Sequence, residues 1–134
     1  MTQLKEKSKF NLEAAKVLID DHDCYAPSVH CSYYGCFQFI KSKLNTIGFT
    51  YEMISTELAS DTRKSSHNYP ISLILNEVER KSDSHYKSNV RNKIKLLKTF
   101  RVESDYHNEI VNYDKSRKSL DLSKEIIKLI ENKL

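Results

Sequence analysis

Apolar residues recur along this chain at steps of three and four and never settle into the alternation of a strand, so every element the pattern predicts is a helix. The longest series is Val29, Tyr33, Cys36, Phe37, Ile40, Leu44 and Ile47, which predicts a central core helix. It should start near Pro27, whose missing N–H is harmless in a first turn, and stop at Gly48 in a left-handed cap. Tyr33, Tyr34, Phe37 and Phe39 read as core aromatics, and Gly35 in mid-helix implies that a neighbouring helix crosses closely there. Before it, residues 3–21 form a first helix with Phe10, Ala14, Val17 and Leu18 on its apolar face. After it comes the longest polar connection, with a short helix near Tyr51 to Leu58. Asn68 then caps a helix with Pro70 in its first turn and Ile71, Ile74, Leu75 and Val78 turned inward. A further helix starts near Ser84, carries Tyr86, Val90, Ile94 and Leu97 on one side, and reaches Arg101. The last opens after Asp105, where Tyr113, Leu120, Ile127 and Leu134 recur every seven residues beside Ile130, a stripe for packing on the bundle or on a second chain. The expected fold is all-α, an antiparallel bundle of four to five helices forming a single domain over residues 1–134.

Composition supports this. A chain of 134 residues can bury a core without disulfide or metal staples, and two glycines and two prolines are too few for the corners of a many-stranded fold. Cys24, Cys31 and Cys36 have no CxxC spacing and read as reduced structural thiols. Asp20, Asp21, His22 and Asp23 read as a hydrated corner, and no metal site or cofactor is expected. The opening MTQLKEKSKF lacks the apolar core of a leader, and no apolar run approaches the ~18 residues of a membrane span, so the expectation is a soluble, cytoplasmic protein with no membrane partner. The net charge of +4 is modest, but its distribution is uneven. No acidic residue lies between Asp83 and Glu103, and Lys87, Arg91, Lys95 and Lys98 in that interval are the candidate nucleic-acid contacts. The chain has neither the glycines of a nucleophile elbow nor a Gly-rich triphosphate loop.

The chemistry concentrates in FRVESDYHNEIVNYD, residues 100–114. With Asp105 as N-cap of the last helix, Tyr106, His107 and Asn108 fall in a first turn, whose free N–H groups attract phosphate and favour a neutral imidazole. Arg101 offers a planar cationic fork to a phosphate oxygen. Together they suit acid–base chemistry on a phosphate, although an Arg and a His at this spacing also fit two helix ends with no chemistry.

In context the chain resembles the HEPN superfamily of small helical bundles. AAKVLIDDHDCYAPSVHCSYYGCFQFIKSKL is similar to its N-terminal helix pair, His67 precedes the next long helix as in many relatives, and Arg101, Ser104, Asp105 and Tyr106 resemble its Arg-x-x-Ala-Asp-Tyr segment. Active members carry an Arg and a His four to six residues apart, and five residues separate Arg101 from His107. The resemblance implies metal-independent endoribonuclease activity on single-stranded RNA at a homodimer cleft, in the manner of a toxin or defence effector. Arg101 and His107 would be catalytic, and Asp105, Tyr106 and Asn108 supporting. Val102 follows Arg101 where active toxins often have a polar residue, and Glu109 stands where some carry a modifiable tyrosine. Relatives with the Ala-Asp-Tyr segment but no His imply the alternative, a non-catalytic module that binds a nucleotide or a nucleotidyltransferase-like partner.

Overall fold

The computed structural model describes residues 3–134 as six helices: α1 (Gln3–Asp20), α2 (Tyr25–Thr46), α3 (Tyr51–Ser60), α4 (Asn68–Lys81), α5 (Ser84–Tyr106) and α6 (Tyr113–Glu131). No strand occurs among the described residues, and none of the helices is long and apolar enough to cross a membrane.

Helix α2 is the axis of the bundle, with α1, α4, α5 and α6 packed around it. Its predicted face is the observed one: Val29, Tyr33, Cys36, Phe37, Ile40 and Leu44 are all buried. At its end Gly48 has φ 114°, the left-handed conformation expected of it, and the Phe49 N–H turns back to the Leu44 carbonyl at 2.9 Å. Helix α5 runs antiparallel to both α6 and α4, as paired contacts at both ends show, whereas α2 and α6 run in the same direction, with Tyr25 against Tyr113 at their starts and Cys36 beside Ser123 midway. The Tyr86 hydroxyl near the start of α5 donates to the Leu129 carbonyl near the end of α6 at 2.6 Å, while Glu103 near the end of α5 meets Lys115 near the start of α6 at 2.8 Å. Likewise Lys87 bonds to Asn76, and Lys98 to Asn68, between α5 and α4.

Two faces differ from the pattern reading. On α1, Phe10 and Val17 are exposed, and the buried positions are Ser8, Ala15 and Ile19, with Leu12 half-buried. The reason is the close crossing at Gly35. A Cβ there would stand 2.8 Å from Leu12 Cδ2 and 3.3 Å from the Ser8 carbonyl oxygen, and the Ser8 hydroxyl donates to the Gly35 carbonyl at 2.6 Å. Small residues therefore mark this interface, and hydrophobicity alone misplaces it. On α6, Leu120 and Ile130 are buried as expected, but Tyr113 is exposed, and Ser116, Ser119, Ser123 and Ile126 complete the face. These serines admit close approach to α2, whose Ser28 and Ser32 are fully buried.

The boundary between α5 and α6 also moves. α5 runs past Asp105 to Tyr106, and α6 begins at Tyr113, where the Asn112 side chain accepts from the Lys115 N–H at 2.9 Å. Asp105 does not cap the last helix. It stays helical because Arg101, one turn earlier, holds its carboxylate.

Candidate functional site

Arg101 takes the next step of four after Val90, Ile94 and Leu97, a position on the buried side of α5. Only 13% of its side chain is exposed. A cation in that place needs partners, and two helices, α2 and α5 itself, supply them. One guanidinium N–H donates to the Tyr34 hydroxyl at 2.8 Å, and Nε lies 3.0 Å from Asp105 Oδ2 as an ion pair too misaligned for a hydrogen bond. The guanidinium carbon sits 5.5 Å from the Tyr33 ring centre, 5.3 Å from that of Tyr34 and 5.5 Å from that of Tyr106. Asp105 is shared with α2, since His30 Nδ1 also lies 2.9 Å from its Oδ2.

The same tyrosines hold His67, which stands at the start of α4. Its Nδ1 is 2.9 Å from the Tyr33 hydroxyl, and its ring stacks on Phe37 at 4.5 Å between centres, 10° from parallel. The ring does not cap α4; the Ser65 hydroxyl accepts from the His67 and Asn68 N–H groups instead. Burial first, then the charges of Arg101, Lys98 and Lys41, push His67 below the ordinary imidazole value of 6.5. Lys98 is also lowered, by burial and then by Arg101. Cations are thus crowded around this corner, with Asp105 the carboxylate bound to Arg101.

His107 lies elsewhere on the same helix end. It is the residue after the last turn of α5, with φ −92° and ψ 147°, and its N–H closes that turn on the Glu103 carbonyl at 3.1 Å. The end of a helix carries partial negative charge, the reverse of the first-turn field expected from sequence, so the argument from a helix start lapses. Its ring is half exposed and sits 4.0 Å from Glu109. No hydrogen bond, ion pair or ring contact joins Arg101 to His107 among the described residues. Ligand atoms of Glu103, His107 and Glu109 gather within 4.8 Å, but Lys115 already holds Glu103 at 2.8 Å.

A cleft of about 510 Å³ does unite part of the predicted set, lined by Asn68, Lys95, Lys98, Thr99, Val102, Glu103 and His107. Arg91 continues the cationic face beside Lys95 and Lys98 along a second, smaller cavity of about 160 Å³. Lys87 is tied to Asn76 and to Glu79 of α4, at 3.1 and 3.4 Å, and lines neither cavity. Of the supporting residues, Asp105 and Tyr106 contact Arg101, while Asn108 is exposed in the connection between α5 and α6. His30, Tyr33, Tyr34 and His67 complete the site without having been expected there. A signal existed for Tyr34: in the core series Tyr33 is inward, so its neighbour lies on the flank that an adjoining helix covers.

The chain matches no family model, no characterised protein and no solved structure in the comparisons made with each.

Proposed function

We propose that this chain is a HEPN-like domain that binds single-stranded RNA and cuts it without a metal, as a homodimer in which two Arg101/His107 pairs face a common cleft. The observation that carries the reading is the cleft with Lys95, Lys98 and His107 in its wall, one helical step from Arg101. Lys95, Lys98 and Arg91 would hold the phosphate backbone, a task for cations on one helix face. Arg101 would stabilise charge developing on the scissile phosphate, and His107 would move a proton. The ribose 2′-hydroxyl then attacks the adjacent phosphate, leaving a 2′,3′-cyclic phosphate and a 5′-hydroxyl. A chain with that activity suits a toxin or defence effector.

The engagement of Arg101 favours a second reading. Its fork already has Asp105 and Tyr34, as in a module that binds a nucleotide or a nucleotidyltransferase-like partner without chemistry. One experiment separates the two. Incubated with single-stranded RNA in EDTA, the wild-type protein is expected to release cyclic-phosphate ends, while Arg101→Ala and His107→Ala, each shown to be folded by its melting curve, are expected to be inactive. Intact RNA, with a nucleotide-induced rise in melting temperature that Arg101→Ala loses, establishes the second reading instead.

A further inference from the structure

We infer that His67 shares one phosphate site with Arg101 and is the group that accepts the 2′-hydroxyl proton there. The inference rests on the ribonuclease reading for its chemistry, but the site itself stands on geometry. His67 and Arg101 are 34 positions apart in sequence and are held by the same two rings. Their distances to the Tyr33 ring centre are 5.8 and 5.5 Å, and to the Tyr34 ring centre 5.7 and 5.3 Å. Arg101 brings a guanidinium whose Nε is ion-paired with Asp105 at 3.0 Å without the alignment of a hydrogen bond, so an arriving phosphate competes with that carboxylate for it.

The imidazole is fixed on two sides. Phe37 supports its face, and the Tyr33 hydroxyl takes Nδ1, which leaves Nε2 as the reactive nitrogen. Burial keeps Tyr33 a neutral phenol, whose oxygen can accept Nδ1–H, and that tautomer presents the Nε2 lone pair. The charged and titratable groups facing the ring are Tyr33, Tyr34 and Lys41 from α2 and Lys98 and Arg101 from α5, and behind them Asp105 is held by both Arg101 and His30, the latter packed on the Tyr34 ring. An excess of cations around a neutral imidazole is what a general base for a phosphodiester needs. The arriving anion offsets those cations, and the ring's affinity for a proton rises as the substrate binds.

In the step assigned to it, the O2′–H proton passes to His67 Nε2 and the O2′ electron pair forms the bond to phosphorus. The P–O5′ bond breaks with its electron pair going to O5′, which takes the proton that His107 moves in the reading above. Both rings then exchange protons with solvent. His67 thereby takes the base's part, and the half-exposed His107 ring at the end of α5, which does not contact Arg101 within one chain, delivers a proton across the common cleft of the proposed homodimer.

Two measurements on the full chain test this. The first follows the His67 imidazole by NMR through a pH titration with and without inorganic phosphate. The expected result is an upward shift of its midpoint on adding phosphate, absent in Arg101→Met; no shift in the wild-type protein overturns the shared site. The second compares RNA cleavage by wild type and His67→Asn, which keeps a polar atom for Tyr33 but cannot carry the proton. A loss of about 100-fold or more in kcat is expected, with a cooperative melting curve showing the variant folded and with partial rescue by added imidazole. His67→Asn cutting at the wild-type rate overturns the base assignment and leaves the ribonuclease reading standing. A wild-type protein that shifts with phosphate but cuts no RNA removes that reading and supports the shared site alone.

Discussion

At the scale of single residues, the organising fact is a buried cation. Arg101 occupies a core register of α5, where an isolated charge is costly and even a paired one contributes little net stability. Its neighbourhood is built to tolerate it: a carboxylate one turn on, a tyrosine hydroxyl across the interface and three aromatic faces. Burial and, after it, the same charge act on His67 and yield a prediction with a definite sign. Because the folded value of His67 lies below the 6.5 of a free imidazole, the unfolded chain binds more protons than the folded one as pH falls through that value. Stability from this residue is present in full well above the 6.5 of the free imidazole and declines as pH falls from there through the lower folded value, a window above that in which Asp61 and Glu103 respond. Urea unfolding at stepped pH should show that slope in the wild type and a flatter line in His67→Asn. An unchanged slope would place the titration on another group.

At the scale of elements, α2 is held against α1 by an absence of side chain. Gly35→Val forces branched carbons into Leu12 and the Ser8 carbonyl, and a loss of about 1–3 kcal/mol is expected in denaturant melts, greater than for Gly35→Ala. This interface also shows how far the chain could be read beforehand. The close crossing at Gly35 was legible because a mid-helix glycine weakens the helix unless something occupies the space. The buried face of α1 was not, because Ser8 and Ala15 register weakly on any apolar pattern beside Phe10 and Val17, which the fold leaves outside. The faces of α2 and α5 followed directly from Val29 to Leu44 and from Val90 to Leu97, where large side chains repeat at helical steps. Asp105 misled for a different reason. An acid before a polar stretch suits an N-cap, but the same residue one turn after an arginine suits an internal ion pair, and the buried Arg101 decided for the second. The pairing of His67 with Tyr33 depends on how α4 meets α2, which no local spacing encodes.

At the scale of the whole molecule, charge of one sign is gathered on the face where α5 meets α4. Arg91, Lys95 and Lys98 share that face, where the acids present are already engaged: Glu103 in the cleft wall is held by Lys115, and Glu79 of α4 by Lys87. If RNA lies along it, each lost cation removes a released counterion. Fluorescence anisotropy should then show Lys95→Gln and Arg91→Gln each weakening single-stranded RNA binding and each lowering the slope of log affinity against log salt by about 0.7. Slopes equal to wild type would exclude this face as the contact. The bundle also contains a means of watching itself open. Cys36 sits in the middle of α2 beside Ser123, wholly inside, and burial pushes its thiol up to about 12, so it neither ionises nor meets reagents while the helices stay together. Cys24 and Cys31 are only partly covered. A maleimide added to the native protein should therefore label Cys24 first, Cys31 more slowly because burial raises its thiol, and Cys36 only at the pace of global opening, a chemical clock for the lifetime of the folded state.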